Sequence, residues 1–191
     1  MLDFIKNGKG EILNLFFKNP DGVYYLREIA KILNKEPAHY QRYLDALVED
    51  DILQDERKGN LRLFKLNKNH PLYEELKKII SKTIGLEGQI KAIADSLVGI
   101  GAAFIFGSMA KGKENSHSDI DLMLIGSADQ DKLIKAVSAA EEKLSREINY
   151  HVFTKDEILE KIRQKDSFFI NIFSEPKIIL KGNLNEFTIP A

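Results

Sequence analysis

The chain has 191 residues, 28 Lys+Arg against 29 Asp+Glu, a formal net charge of −1 and no cysteine. That balance excludes a disulfide framework, a thiolate metal centre and bulk polycation binding to nucleic acid. At roughly 100–200 residues per domain, the length allows one large domain or two small ones, and the 43% apolar share can build one or more cores. The opening Met1-Leu2-Asp3-Phe4-Ile5-Lys6 lacks a basic stretch followed by an apolar one, so no signal peptide is expected. The longest apolar run, Ala102–Phe106, is far short of the roughly 20 residues a bilayer requires. A cysteine-free chain of this kind suits a reducing compartment, so a cytoplasmic location and no membrane partner are expected.

Residues 1–84 carry 15 Lys+Arg against 13 Asp+Glu, and residues 85–191 carry 13 against 16. In the first part, Ile12, Leu15 and Phe16 recur at helical spacing before the turn Asn19-Pro20-Asp21-Gly22. Leu26, Ile29, Ala30 and Leu33 predict a short second helix, with Tyr24-Tyr25 packed beneath it. Pro37 opens a third helix that buries Tyr40, Leu44, Leu47 and Val48 and exposes His39, Gln41, Arg42 and Asp45. Two strand-like runs, 52–57 and 61–66, flank Lys58-Gly59-Asn60, a hairpin signal. Residues 71–84 read as helix and lead to Gly85, the expected boundary. The expected division is therefore 1–70, a helical linker at 71–86, and 87–191.

After a helix near 87–98, strands and helices alternate. Ala102–Phe106 and Ile120–Ile125 read as buried strands and Ile148–Phe153 as a third, with a last extension at Lys177–Leu180. Ser127, with Gln130 three residues on, is expected to open a helix through about 146, and Thr154 with Glu157 the next one. Alternation of this kind predicts an α/β (α+β) layer with helices over a small mixed sheet. The Phe168-Phe169 pair is expected in the core, His70 in a linker turn and His117 in the gap before Asp119. The four histidines show no zinc-ligand spacing.

The chemistry is concentrated in Phe106-Gly107-Ser108-Met109-Ala110-Lys111-Gly112, followed by Ser118-Asp119-Ile120-Asp121-Leu122. A glycine at the end of a buried strand lets a ligand approach the backbone, and the serine offers a hydroxyl and an amide to a phosphate oxygen. Strand periodicity places both aspartates on one face. Two such anions beside an apolar run repel each other until a hard divalent cation joins them, and that cation would bridge them to a triphosphate.

Gly107, Ser108, Ala110, Gly112, Ser118, Asp119 and Asp121 stand in the order of the nucleotidyltransferase superfamily of DNA polymerase β type, which this stretch resembles. The resemblance implies that Gly107, Ser108 and Ser118 hold an NTP and that Asp119 and Asp121 bind Mg²⁺ or Mn²⁺ in catalysis. It also implies a third carboxylate on a neighbouring strand. Register places Asn149 there, an amide that accepts no proton at neutral pH. Glu147, one pleat earlier, and His151, one pleat later, share that face. Glu147 is the tentative third catalytic residue and His151 an alternative base.

The order helix, helix, Pro-led helix, hairpin over residues 9–68 resembles the winged helix-turn-helix of ArsR or MarR kind. In such a module the third helix enters the major groove of double-stranded DNA and the hairpin touches the backbone. The corresponding candidates are His39, Gln41 and Arg42 on the helix and Arg57, Lys58 and Arg62 in the wing. Winged helices also serve as protein-docking modules, and as regulators they commonly pair on two half-sites, which allows a homodimer. The whole chain is similar to a two-domain group that fuses such a module to a minimal nucleotidyltransferase, in Arg146-Glu147-Ile148-Asn149 and Thr154-Lys155-Asp156-Glu157 as well. Three functions follow from the resemblance. They are a Mg²⁺-dependent nucleotidyltransferase acting on an unknown acceptor, a transcription regulator whose transferase domain only senses nucleotide, and an antitoxin-like protein that modifies or masks a toxin partner.

Overall fold

The computed structural model describes residues 5, 7–113, 118–185 and 187, and the chain divides into two compact units, Met1–Gly88 and Gln89–Ala191. The first holds α1 (Gly8–Lys18), β1 (Val23–Tyr25), α2 (Leu26–Ile32), α3 (Pro37–Glu49), β2 (Leu53–Lys58), β3 (Leu61–Leu66) and α4 (Tyr73–Thr83). Asn7 starts α1 by accepting the Lys9 amide at 2.9 Å, and Pro37 occupies the first turn of α3, where a missing N–H costs nothing. Gly59, at φ +62°, takes the first place of the two-residue loop that pairs Lys58 with Leu61. Ile12, Phe16, Ile29, Tyr40, Leu44, Leu47, Phe64 and Ile80 form one buried cluster. Within it the Tyr40 hydroxyl donates to Glu11, and burial together with that carboxylate pushes the phenol's pKa far up.

The three strands are antiparallel in the order β1-β3-β2. The short β1 is absent from the sequence expectation, because three residues are too few to show a period and run directly into α2. Tyr24 lies opposite Phe64 and meets Phe16 edge-on at 5.4 Å, and the Tyr25 amide donates to Glu28 Oε2 at 3.2 Å to open α2.

The second unit continues from α5 (Leu86–Ser96), whose first three residues precede the division, through β4 (Ile100–Phe106), α6 (Gly107–Ala110), β5 (Ile120–Gly126) and α7 (Gln130–Leu144). It then adds β6 (Ile148–Phe153), α8 (Lys155–Arg163), α9 (Ser167–Ser174) and β7 (Ile178–Lys181). The chain is thus a mixed α/β protein with a small mixed sheet flanked by helices. The sheet order is β6-β5-β4-β7, with β5 and β6 parallel and the other neighbours antiparallel. One face sends Ala102, Phe104, Met123 and Ile125 into a cluster with Ile158 and Ile162 of α8 and Phe169 and Ile172 of α9. The opposite face of the same strands, Ala103, Ile105, Leu122 and Leu124, is also buried, as are Ile90 and Ile93 of α5 and Leu133 and Val137 of α7. Burial on both faces is why these strands read as continuous apolar runs rather than alternating ones.

Thr154 and Glu157 close the expected box at the start of α8. The start of α7 departs from expectation. Asp129, not Ser127, caps it by accepting the Lys132 amide at 3.0 Å, and Gln130 is the first helical residue rather than the third. Ser127 instead donates its amide to the Gly99 carbonyl at 3.2 Å, closing the end of the β4–β5 pair. Among the described residues no helix is long and apolar enough to cross a membrane.

One buried polar side chain stands out in the first unit. Asn67 is only 5% exposed; it donates to the Asp51 carbonyl at 2.9 Å and accepts the Asn69 amide at 3.1 Å. It thereby ties the end of β3 to the left-handed turn at Asp51, φ +55°. Asn67→Ala is expected to destabilise the first unit by about 1–3 kcal/mol, the cost of stranding buried partners. Urea denaturation of the full chain, followed by tyrosine fluorescence, checks this.

Candidate functional site

The site forms where β4 ends and β5 begins. Phe106 and Asp121 are paired across the two strands, and Gly107 follows at φ +73°. A Cβ on residue 107 would overlap Asp121 Oδ2 and lie 3.2 Å from its Cγ. Glycine is thus favoured at this position by the left-handed backbone, and any side chain here would also displace the Asp121 carboxylate. Ser108 follows, half-buried, at the start of α6.

Asp121 is partly buried, and among the described residues no donor is hydrogen-bonded to it. Burial, then the charge of Asp119, raise its pKa above the usual carboxylate range; His151 pulls the other way. Asp119 stands exposed just before β5, and its Oδ2 accepts the Asn149 amide at 3.4 Å. Asn149 lies directly opposite Asp121 in the parallel β5–β6 register. The residue in the expected third-carboxylate position is thus a donor toward the first carboxylate.

Glu147 lies one residue before β6, exposed, and its backbone carbonyl accepts the Ile120 amide at 2.9 Å. Among the described residues no three His, Asp or Glu side chains come together to hold a metal, so Glu147 does not join the aspartate pair in this arrangement. Ser118 precedes the pair, and its carbonyl is gripped by Arg146 through Nε at 2.7 Å and through a second guanidinium nitrogen. This fork, which the sequence did not reveal, fixes the entry to β5. His117 lies outside the described residues. The chemistry of the aspartate pair fits a single divalent cation: both ligands are hard carboxylate oxygens, and among the described residues no donor competes for Asp121.

A family model described as polymerase beta, nucleotidyltransferase, matches residues 88–184, just over half of the chain. The chain belongs to the polymerase beta nucleotidyltransferase family. The match spans the whole sheet and includes Gly107, Ser108, Asp119, Asp121 and Asn149. No curated protein matches the chain. Among solved structures, the crystal structure of a toxin-antitoxin with AMP-PNP shares 15% identity at a TM-score of 0.37, covering 53% of this chain and 77% of that one. A mutant of the toxin-antitoxin MntA-HpeT shares 13% at the same TM-score, covering 53% and 76%.

The candidates on the first unit form a separate group. On α3, His39 meets the rings of Tyr40 and Tyr43 at 4.9 and 5.7 Å. Arg42 donates to the Tyr43 hydroxyl at 2.8 Å with its guanidinium 4.8 Å from that ring's centre, and Gln41 donates to Asp45 at 3.1 Å. Arg62 donates to Asp55 at 2.6 Å and also to Asp45, over the Phe64 ring. Gln41 and Arg62 hold the Asp45 carboxyl below its ordinary pKa. Arg57 is paired opposite Arg62 across the hairpin, and Lys58 adjoins its tip; both are exposed.

Gly107→Ala is expected to cost about 1–2 kcal/mol from the left-handed backbone alone, plus the displacement of Asp121. In the Asp121→Ala background only the backbone part remains, so a thermal-melt double-mutant cycle reads the contact as coupling. The raised Asp121 pKa means that its ionisation opposes folding above the folded pKa, an effect that fades as pH falls to the unfolded value of 3.8. In a divalent chelator, Asp121→Asn is therefore expected to melt higher than wild type at pH 7, the gap closing toward pH 4.

Proposed function

We propose that the second unit binds a nucleoside triphosphate with Mg²⁺ or Mn²⁺ and transfers its nucleotidyl group to an acceptor hydroxyl. The observation that carries this is the Asp119–Asp121 pair set against Gly107 in a polymerase beta nucleotidyltransferase domain. Asp119 and Asp121 would hold the cation, and Gly107 and Ser108 would receive the triphosphate, the glycine admitting phosphate close to the backbone. The bound cation would neutralise triphosphate charge and polarise the α-phosphate. Arg146, by gripping Ser118, keeps the aspartates in a fixed approach, so that much of the rate comes from positioning. The acceptor oxygen joins the α-phosphorus as its O–H proton passes to solvent, and the bond between the α- and β-phosphates breaks to release pyrophosphate.

The first unit, on this reading, is a winged helix-turn-helix over residues 1–70 that brings the enzyme to double-stranded DNA. Its support is the Pro-led α3 followed by a hairpin, with Arg57 and Lys58 exposed at the hairpin and Arg42 on α3.

Asn149 favours a second reading. An amide that donates to Asp119 takes no proton from an acceptor hydroxyl, which suits a regulator that senses nucleotide without turning it over.

Incubation of the full chain with α-³²P-labelled NTPs, Mg²⁺ and candidate acceptors separates the two. Transfer predicts label incorporation and pyrophosphate release that fall by at least about 100-fold in Asp119→Ala and Asp121→Ala. Saturable NTP binding without either product supports the sensor. A parallel titration with duplex DNA over a salt series is expected to show a steep salt slope, reduced by about one unit in Lys58→Ala.

A further inference from the structure

The sheet face that carries Asp121 and Asn149 continues into an aromatic group. His151 lies two residues beyond Asn149, about 6.6 Å along the strand at the usual rise. Its ring is 6.1 Å from Phe106, the residue paired with Asp121, and stacks at 6.4 Å on Phe153. Phe168, in the first turn of α9, closes the group, 5.4 Å from His151 and 6.2 Å from Phe106. The expectation that Phe168 and Phe169 share the core holds for only one of them. Phe169 is 3% exposed within the cluster under the sheet, whereas Phe168 stays 39% exposed outside it.

A lone exposed phenylalanine needs no functional account, but three further observations single this one out. First, it is held in place. Asp166 caps α9 by accepting the Phe168 amide at 3.0 Å. At the other end Lys177 Nζ donates to the carbonyls of Ile172, Phe173 and Glu175 at 2.6–3.1 Å. Second, Lys111, in the loop that follows Gly107-Ser108, is ion-paired with Glu175 at 2.8 Å, which links that loop to the end of α9. Third, the His151 ring nitrogens have no hydrogen-bond partner among the described residues, yet no unpartnered side-chain nitrogen there is buried. They are therefore open to solvent on the aspartate-bearing face, one donor and one acceptor in the neutral ring.

We propose that Phe168, backed by His151 and Phe106, is the platform on which the nucleobase of the bound nucleotide stacks, with the His151 nitrogens meeting the base edge. This rests on the nucleotide-binding reading above. With the phosphates at Gly107-Ser108 and the aspartates, the aromatic group adjoins them on the same sheet face through Phe106, which pairs with Asp121 and leads directly into Gly107-Ser108. An aromatic face accepts any base, and an imidazole donor and acceptor at the base edge would add preference among them.

Calorimetric titration of the full chain with Mg²⁺ tests this, using two kinds of probe: the α,β-methylene nucleoside triphosphates, which resist transfer, and inorganic tripolyphosphate, which has no base. Wild type is expected to bind the best nucleotide about tenfold or more tightly than tripolyphosphate, the usual scale of one base–aromatic stack. Phe168→Leu, which keeps the bulk and loses the ring, is expected to remove about tenfold from nucleotide affinity and leave tripolyphosphate unchanged; Phe168→Tyr restores it. Unchanged nucleotide affinity in Phe168→Leu, or equal weakening of both ligands, overturns the platform while leaving nucleotide binding intact. Failure of wild type to bind either ligand overturns the nucleotide-binding reading itself, and the platform with it.

Discussion

At the junction of β4 and β5 a carboxylate occupies the volume that a side chain on residue 107 would need, and the arrangement of the second unit's site descends from that contact. It favours glycine at 107 with a left-handed backbone, where the chain turns out of β4 into α6 and Ser108 follows directly. It also requires Phe106 and Asp121 to be in register across the strands, because a slip by one residue would put the carboxylate on the other sheet face. The apolar run from Leu122 to Ile125, buried on both faces, enforces that register. A hydrophobic constraint on the strand thus holds a charged group where burial disfavours its charge.

What surrounds that charge decides what the site attracts. Within one pleat stand a second carboxylate and a carboxamide, and the carboxamide's hydrogen bond goes to Asp119 rather than Asp121. Arg146, the guanidinium that precedes β6, reaches the Ser118 carbonyl and so organises the backbone of the approach. Two neighbouring anions, one of them half-buried and without a donor, are most cheaply stabilised by a cation that also gathers anionic ligand oxygens. The amide at 149 softens the repulsion between the aspartates and at the same time removes the proton acceptor that a third carboxylate would supply. One substitution therefore favours binding and disfavours proton transfer.

Much of the second unit is legible in the sequence because its signals are long or chemically specific. Three apolar runs bounded by Gly107, Asp119 and Thr154 became β4, β5 and β6 within two residues of expectation, and the Thr154–Glu157 box formed as its spacing implies. Local competition was not legible. Ser127 and Asp129 are both good caps, and only the Gly99 carbonyl, distant in sequence, decides that Ser127 serves the sheet and Asp129 the helix. β1 escaped because a three-residue strand shows no period, although Tyr24 and Phe64 pair across it. The Phe168-Phe169 doublet shows the same limit. Two identical neighbours take opposite roles, and helical phase relative to the sheet determines which one is buried.

The first unit carries its cations in two conditions. Arg62 is bonded to Asp45 and Asp55, Gln41 to Asp45, and Arg42 lies on Tyr43, whereas Arg57 and Lys58 make no ion pair among the described residues. Half-exposed pairs of the first kind are worth at most about 1 kcal/mol each, so the phosphates or base edges of the proposed DNA partner would compete with them on nearly equal terms. Among the described residues the two hairpin cations have no ion pair to surrender, and repulsion between the facing Arg57 and Arg62 would be relieved by an anion placed against them. An anion at the hairpin would therefore displace no internal partner, whereas one along α3 would exchange one partner for another. If the proposed DNA contact forms, the hairpin cations would supply affinity, and the α3 side chains, which have internal partners to surrender, would supply any discrimination.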